Sequence, residues 1–119
     1  MNKEALVQEL GKIVGADRVS DSEQAVLDAA KDYIGYRRYE RDDKKYWVPR
    51  AACVVRPQST EQVSEVLKYL NDEKIDVVPR TGGSSVTRGI EPQQDGVILD
   101  GSDMNEIIEV NEEDMYVTA

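Results

Sequence analysis

Leu6, Val7, Leu10, Ile13 and Val14 recur at helical spacing and Gly15 offers a stop, so the chain is expected to open with a short amphipathic helix. Ser20-Asp21-Ser22-Glu23 fits a capping box, with Val26, Leu27, Ala30 and Ile34 on one face behind it, which predicts a second helix ended by Gly35. From Ala51 the pattern changes. Ala52 to Val55 is a short apolar run of strand length, and Pro57 cannot continue a central strand. Ser59-Thr60-Glu61-Gln62 forms another capping box, and Val63, Val66, Leu67 and Leu70 then fall at i, i+3, i+4 and i+7, the spacing of a helix face that covers a sheet. Ile75 to Pro79 reads as the next strand and Val97 to Leu99, after the Asp95-Gly96 turn, as a third. Ile107-Ile108 and Met115-Tyr116-Val117 are expected as short strands joined through Asn111 to Asp114. The order β-α-β with short connections predicts an α/β fold, a small, mainly parallel sheet of about three strands with flanking helices.

The end of the second strand carries the chemistry. Pro79-Arg80-Thr81-Gly82-Gly83-Ser84-Ser85-Val86-Thr87-Arg88-Gly89 concentrates glycines, hydroxyls and cations behind an apolar run. Gly82 and Gly83 permit positive φ and a close backbone approach, so successive N–H groups can converge on one anion. The hydroxyls of Thr81, Ser84, Ser85 and Thr87 add donors, and Arg80 and Arg88 add charge that suits a pyrophosphate. A Walker loop is excluded because no lysine follows the glycines, and a Rossmann fingerprint because Val86 to Pro92 does not read as a helix. Ordinary flexible connections share this glycine-serine pattern, and the residues alone leave both readings open. Ligands of open α/β sheets bind at the carboxyl ends of the strands, where this loop would lie.

Four stations in order resemble the flavin-binding domain of the vanillyl-alcohol oxidase and p-cresol methylhydroxylase superfamily, in its glycolate oxidase and D-lactate dehydrogenase branch. They are Cys53-Val54-Val55-Arg56-Pro57 with the helix start Gln58 to Val63, then Val77 to Ser85, then Gly96 to Asp100, then Met104-Asn105-Glu106-Ile107. The family usually has glycine where this chain has Thr81 and Arg88, and more often threonine at Ser84. The resemblance implies that FAD is the cofactor and that Pro79, Arg80, Thr81, Gly82, Gly83, Ser84, Ser85 and Gly89 bind it. It also implies that the parent protein oxidises a small 2-hydroxy acid, such as lactate or glycolate, by hydride transfer to FAD. No catalytic residue is assigned here; the chemistry would belong to the flavin and to a substrate cap. Residues 1–50 are expected as an N-terminal helical segment with a charged connection, and residues 51–119 as the first half of the flavin domain, truncated at its C-terminus. Its partners would be FAD, the rest of the flavin domain and the cap. Alone, it is expected to hold FAD weakly or not at all. The alternative is a flavin-free α/β binding or interaction module that keeps the fold.

Composition narrows the classes further. At 119 residues there is room for one domain, and no apolar run is long enough to cross a bilayer. Met-Asn-Lys-Glu-Ala-Leu does not read as a signal peptide, so a cytoplasmic setting is expected. Histidine is absent, which removes the residue most often used as a general base or metal ligand and, by the resemblance, the histidine that some members of the superfamily use to attach flavin; a non-covalent cofactor is expected. Cys53 is the lone cysteine, so neither an internal disulfide nor a cysteine-cluster metal site is available. The formal charge of −9 is uneven, since the chain after Arg88 holds acids and no base. Such a field repels phosphate backbones and argues against nucleic acid as a partner. Tyr36 to Trp47 interleaves aromatics with bases as a single-strand platform would, but Glu40, Asp42 and Asp43 break the patch, and a charged connection over the sheet is expected instead.

Overall fold

The computed structural model describes residues 2–33, 51–92 and 94–119. The expectations for Ile34, Gly35 and the Tyr36 to Trp47 segment fall outside the described residues. The first helix, α1 (Lys3–Val14), starts at Asn2, whose side-chain oxygen accepts from the N–H groups of Glu4 and Ala5. It stops at Gly15, where φ is 101°, a conformation that suits glycine. A single turn, Ala16–Arg18, leads into β1 (Val19–Ser20). Then comes α2 (Glu23–Ala29), capped by Ser22, whose hydroxyl accepts from the Ala25 N–H at 3.2 Å. The capping box expected to begin at Ser20 is thus corrected by two residues, because Ser20 is taken up by β1.

The chain then supplies β2 (Cys53–Val55), α3 (Thr60–Asp72), β3 (Val77–Arg80) and β4 (Val97–Asp100). The helix α3 begins as its sequence dictates. Ser59 accepts from the Gln62 N–H at 3.2 Å, while the Gln62 side chain reaches back to the Gln58 N–H at 2.8 Å, one residue beyond the usual reciprocal partner. Its expected apolar face is only partly used. Val66 and Leu70 are fully buried, each contributing about 1.5–3 kcal/mol, but Leu67 is 40% exposed and does not belong to the core.

The sheet holds four strands in the order β1-β2-β4-β3. β4 is parallel to both β2 and β3, and β1 pairs antiparallel with β2 through Val19↔Val55 and Ser20↔Val54. The α/β class and the mainly parallel sheet stand as expected, and one strand is added to the count. β2 and β3 share the sheet without touching, since β4 lies between them.

Alternation along the strands sorts the core into two layers. Cys53, Val55, Val97 and Leu99 face Leu6, Leu10 and Val14 of α1 and Val66 and Leu70 of α3. Val54 and Ile98 face the other way, against Val26, Leu27, Ala29 and Ala30. Helices therefore cover both faces, as parallel strands buried on two sides require.

A separate antiparallel pair follows, β5 (Glu109–Asn111) with β6 (Tyr116–Thr118). Its turn is closed by Asn111, whose side-chain oxygen accepts from the Asp114 N–H at 2.8 Å. The first of these strands was expected at Ile107-Ile108; regular pairing begins two residues later, and Ile108 contributes only its N–H to the Thr118 carbonyl.

Candidate functional site

Because β2, β4 and β3 are parallel, their carboxyl ends share one edge. β3 delivers Arg80 there and β4 delivers Asp100, and the two stand opposite each other in register. Arg80 Nη1 lies 3.7 Å from Asp100 Oδ2 and donates to the Thr81 carbonyl at 3.1 Å. Both side chains are largely withdrawn from solvent, 16% and 10% exposed, so the pair is screened far less than a surface one. Asp100 Oδ1 accepts from the Ser102 N–H at 3.0 Å and so fixes the single turn Gly101–Asp103. Arg18 pairs with Asp103, and the Arg56 N–H donates to the Arg18 carbonyl at 2.9 Å, which ties the turn after α1 to the same edge.

The glycine loop springs from this pair. Gly83 has φ of 67°, the left-handed region, and a Cβ placed on it would sit 2.7 Å from Arg80 Nη2 and 3.4 Å from the Lys31 carbonyl oxygen. Only glycine fits there. Gly82 differs: its φ lies outside the left-handed region and nothing stands within 4 Å of its Cβ direction. Of the two glycines expected to use positive φ, one does.

The far half of the loop is anchored to the stretch after α2. The Tyr33 N–H donates to the Ser85 carbonyl at 3.0 Å, and the Arg88 N–H to Asp32 Oδ2 at 2.9 Å. Arg88 itself has φ of 61°, a conformation that costs a non-glycine residue about 1–2 kcal/mol. The Ser85 hydroxyl accepts from the Thr87 N–H at 3.4 Å, and a Cβ on Gly89 would make only ordinary contact with both of those side chains. Val86 to Pro92 forms neither helix nor strand.

Of the residues singled out by sequence, Arg80, Thr81 and Gly83 converge on one another, with Gly82 beside them. Pro79 sits in β3 opposite Leu99, and Ser84 and Gly89 are exposed on the loop. Sequence reasoning missed Asp32, Tyr33 and Asp100. No local signal marks the first two; Asp100 is the only polar residue in the otherwise apolar β4, and its burial makes it conspicuous.

The loop fits a dinucleotide phosphate on three observations. Among the described residues Arg80 Nε is buried with no hydrogen-bond partner and nothing lies within 4 Å of a Cβ on Gly82, and Gly83 has the left-handed φ that a phosphate nest uses. Cys53 offers no competing chemistry. Burial above all, with Asp21 adding and Lys3 opposing, pushes its thiol from 9.0 up to about 12, so it remains protonated and inert. Among the described residues no helix is long and apolar enough to cross a membrane.

Comparison with known proteins agrees with this geometry. An FAD-linked oxidoreductase of Escherichia coli K12, YgcU, whose description calls it uncharacterized, is 42% identical over 120 residues, covering 100% of this chain and 24% of the relative. The glycolate oxidase subunit GlcD of Bacillus subtilis is 28% identical over 80 residues, covering 67% of this chain and 17% of that protein. The chain thus spans about a quarter or less of the length of these relatives. Among solved structures, an alkyldihydroxyacetonephosphate synthase superimposes with a TM-score of 0.80 at 22% identity, covering 96% of this chain and 23% of that one. That likeness establishes the fold, the one expected from the resemblance. With residues 51–119 matching the model of the FAD binding domain, the chain belongs to that family.

Proposed function

We propose that this chain holds the pyrophosphate of FAD at the Pro79 to Gly89 loop, within a flavoprotein that oxidises a small 2-hydroxy acid such as lactate or glycolate. The observation that carries the reading is the left-handed Gly83 at the carboxyl end of β3, beside Arg80, whose buried Nε has no partner among the described residues. The N–H groups of Thr81 to Ser85, with the Ser84 and Ser85 hydroxyls and Arg80, bind the pyrophosphate and so orient the cofactor, while Pro79 and Gly89 bound the loop. FAD, when bound, supplies hydride acceptance. Residues 1–119 hold no histidine through which flavin could be attached, and the cofactor is taken as non-covalent. The 2-hydroxy acid follows from the resemblance to glycolate oxidase and D-lactate dehydrogenase and from similarity to the B. subtilis subunit.

In the same reading residues 1–50 form a helical segment with a charged connection, and residues 51–119 form the first part of the flavin domain. The remainder and a substrate cap complete the site, with a cytoplasmic setting and no nucleic-acid partner. Residues 1–119 alone bind FAD more weakly than the complete protein.

A second reading, a flavin-free module, is favoured by the side chains at Thr81 and Arg88, the latter at φ of 61° where the resembling family has glycine. Purification of the full-length protein decides between them. Flavin absorbance, with FAD released on denaturation and D-lactate or glycolate bleaching the bound flavin, is the expected result. A colourless protein that ignores added FAD would establish the second reading.

A further inference from the structure

We infer that Asp100 is a positioning residue for the cofactor loop, acting through Arg80; this rests on the proposal that the loop binds FAD. Asp100 is 7% exposed and ends the central strand, where a carboxylate has no role in packing. Its two oxygens do different work. Oδ1 accepts from the Ser102 N–H, and Oδ2 faces Arg80 Nη1 across the β3–β4 register. The held guanidinium in turn occupies the space beside Gly83, with Nη2 2.7 Å from where a Cβ would stand, and Nη1 bonds the Thr81 carbonyl. Carboxylate, guanidinium and glycine form a stack that sets the direction of the loop as it leaves β3. The register places the carboxylate, the carboxylate holds the guanidinium, and the guanidinium ties the loop through the Thr81 carbonyl and fills the space that a side chain at position 83 would need. The Nη1 to Oδ2 separation of 3.7 Å is beyond a direct hydrogen bond, so the link is electrostatic and depends on charge rather than on donor geometry.

Asp100→Asn keeps an oxygen for the Ser102 N–H and removes the charge. It leaves the buried guanidinium unpaired, which destabilises the fold, whereas Asp100→Asn combined with Arg80→Met removes the uncompensated charge and restores stability. Because Arg80 is itself assigned to the pyrophosphate, the deciding variant is Asp100→Asn, titrated at a temperature where it is fully folded. If the pair served the fold alone its FAD affinity is parental, and if Asp100 positions the loop its affinity falls.

The experiment uses the full-length protein, stripped of flavin and titrated with FAD, with apoprotein thermal midpoints measured in parallel. Arg80→Met, Asp100→Asn and the double variant are each expected to raise the FAD dissociation constant by about tenfold or more, and the double variant no further than Arg80→Met alone. The midpoint is expected to fall in Asp100→Asn and to recover in the double variant. Recovery of both midpoint and FAD affinity overturns the inference, as does parental affinity in Asp100→Asn. Gly82→Val separates this from the reading beneath it, because among the described residues nothing lies within 4 Å of a Cβ there and φ is outside the left-handed region. Weakened FAD binding in Gly82→Val with parental affinity in Asp100→Asn withdraws the positioning role alone; parental affinity in both withdraws the loop as the cofactor site, and the inference with it.

Discussion

The Asp32 carboxylate accepts a hydrogen bond from the Arg88 backbone N–H at 2.9 Å, joining positions 56 residues apart. It holds in place a backbone that arginine otherwise avoids. Asp32→Ala should therefore weaken FAD binding by the full-length protein about two- to tenfold, the value of one exposed hydrogen bond of about 0.5–1.5 kcal/mol. Asp32→Asn, which keeps an acceptor oxygen, should recover most of that loss. A fluorescence titration of the two variants beside the parent measures it, and an unaffected Asp32→Ala protein would show that the tether is incidental.

Arg88→Gly relieves the left-handed strain at that position, worth about 1–2 kcal/mol, and gives back about 0.5–1 kcal/mol through the freer unfolded chain. The apoprotein's thermal midpoint should rise. FAD affinity should stay within about threefold of the parent, since the N–H bonded to Asp32 remains. A large loss of affinity at unchanged stability would mean that the guanidinium itself meets the cofactor.

Gly83→Val should abolish flavin retention in the full-length protein while leaving the sheet and helices intact. Valine is poorly suited to φ of 67°, and its side chain must displace the Arg80 guanidinium. The flavin-to-protein absorbance ratio reads the first effect and far-UV circular dichroism the second. Full flavin content in a folded variant would remove this glycine from the site.

Cys53 makes stability pH-dependent in the alkaline range. Its thiol is neutral when protonated, and the folded chain holds that proton up to about pH 12 where the unfolded chain releases it near 9.0. The stabilisation is thus complete below pH 9.0 and is lost as the pH rises toward 12, by up to about 1.4 kcal/mol per unit. Urea midpoints at about pH 8 and about pH 10.5 should fall more steeply for the parent than for Cys53→Ala. Equal slopes would mean that the thiol is solvated.

What the sequence disclosed and what it hid follow from the range of the forces involved. Ser59 with Gln62, Gly15 after Val14 and Gly83 after β3 act within a few residues, and each was legible, whereas Gly82 does not take the positive φ expected of it. Val19–Ser20 was not, because a two-residue strand has no period and exists only through its pairing with Val54 and Val55. Ser22 displaced Ser20 as the cap for the same reason. Leu67 has helical spacing from Val63 and Leu70, yet the width of the stripe that α3 buries is set by α1 beside it. Asp32 and Asp100 reach the loop only after the sheet has brought distant segments together, so no local motif announces Asp32, and the apolar run ending in Asp100 marks that residue without saying what it meets.

The placement of β4 also orders events in time. It is the last of the four strands to leave the ribosome and lies between β2 and β3, so until Val97–Asp100 has emerged β3 has no partner in the sheet and β2 has only the two residues of β1. Until then α3 covers a gap, and Arg80 has no Asp100 to meet. The strand that closes the sheet also brings the carboxylate to the loop, so the sheet and the anchor of the loop are completed in one step.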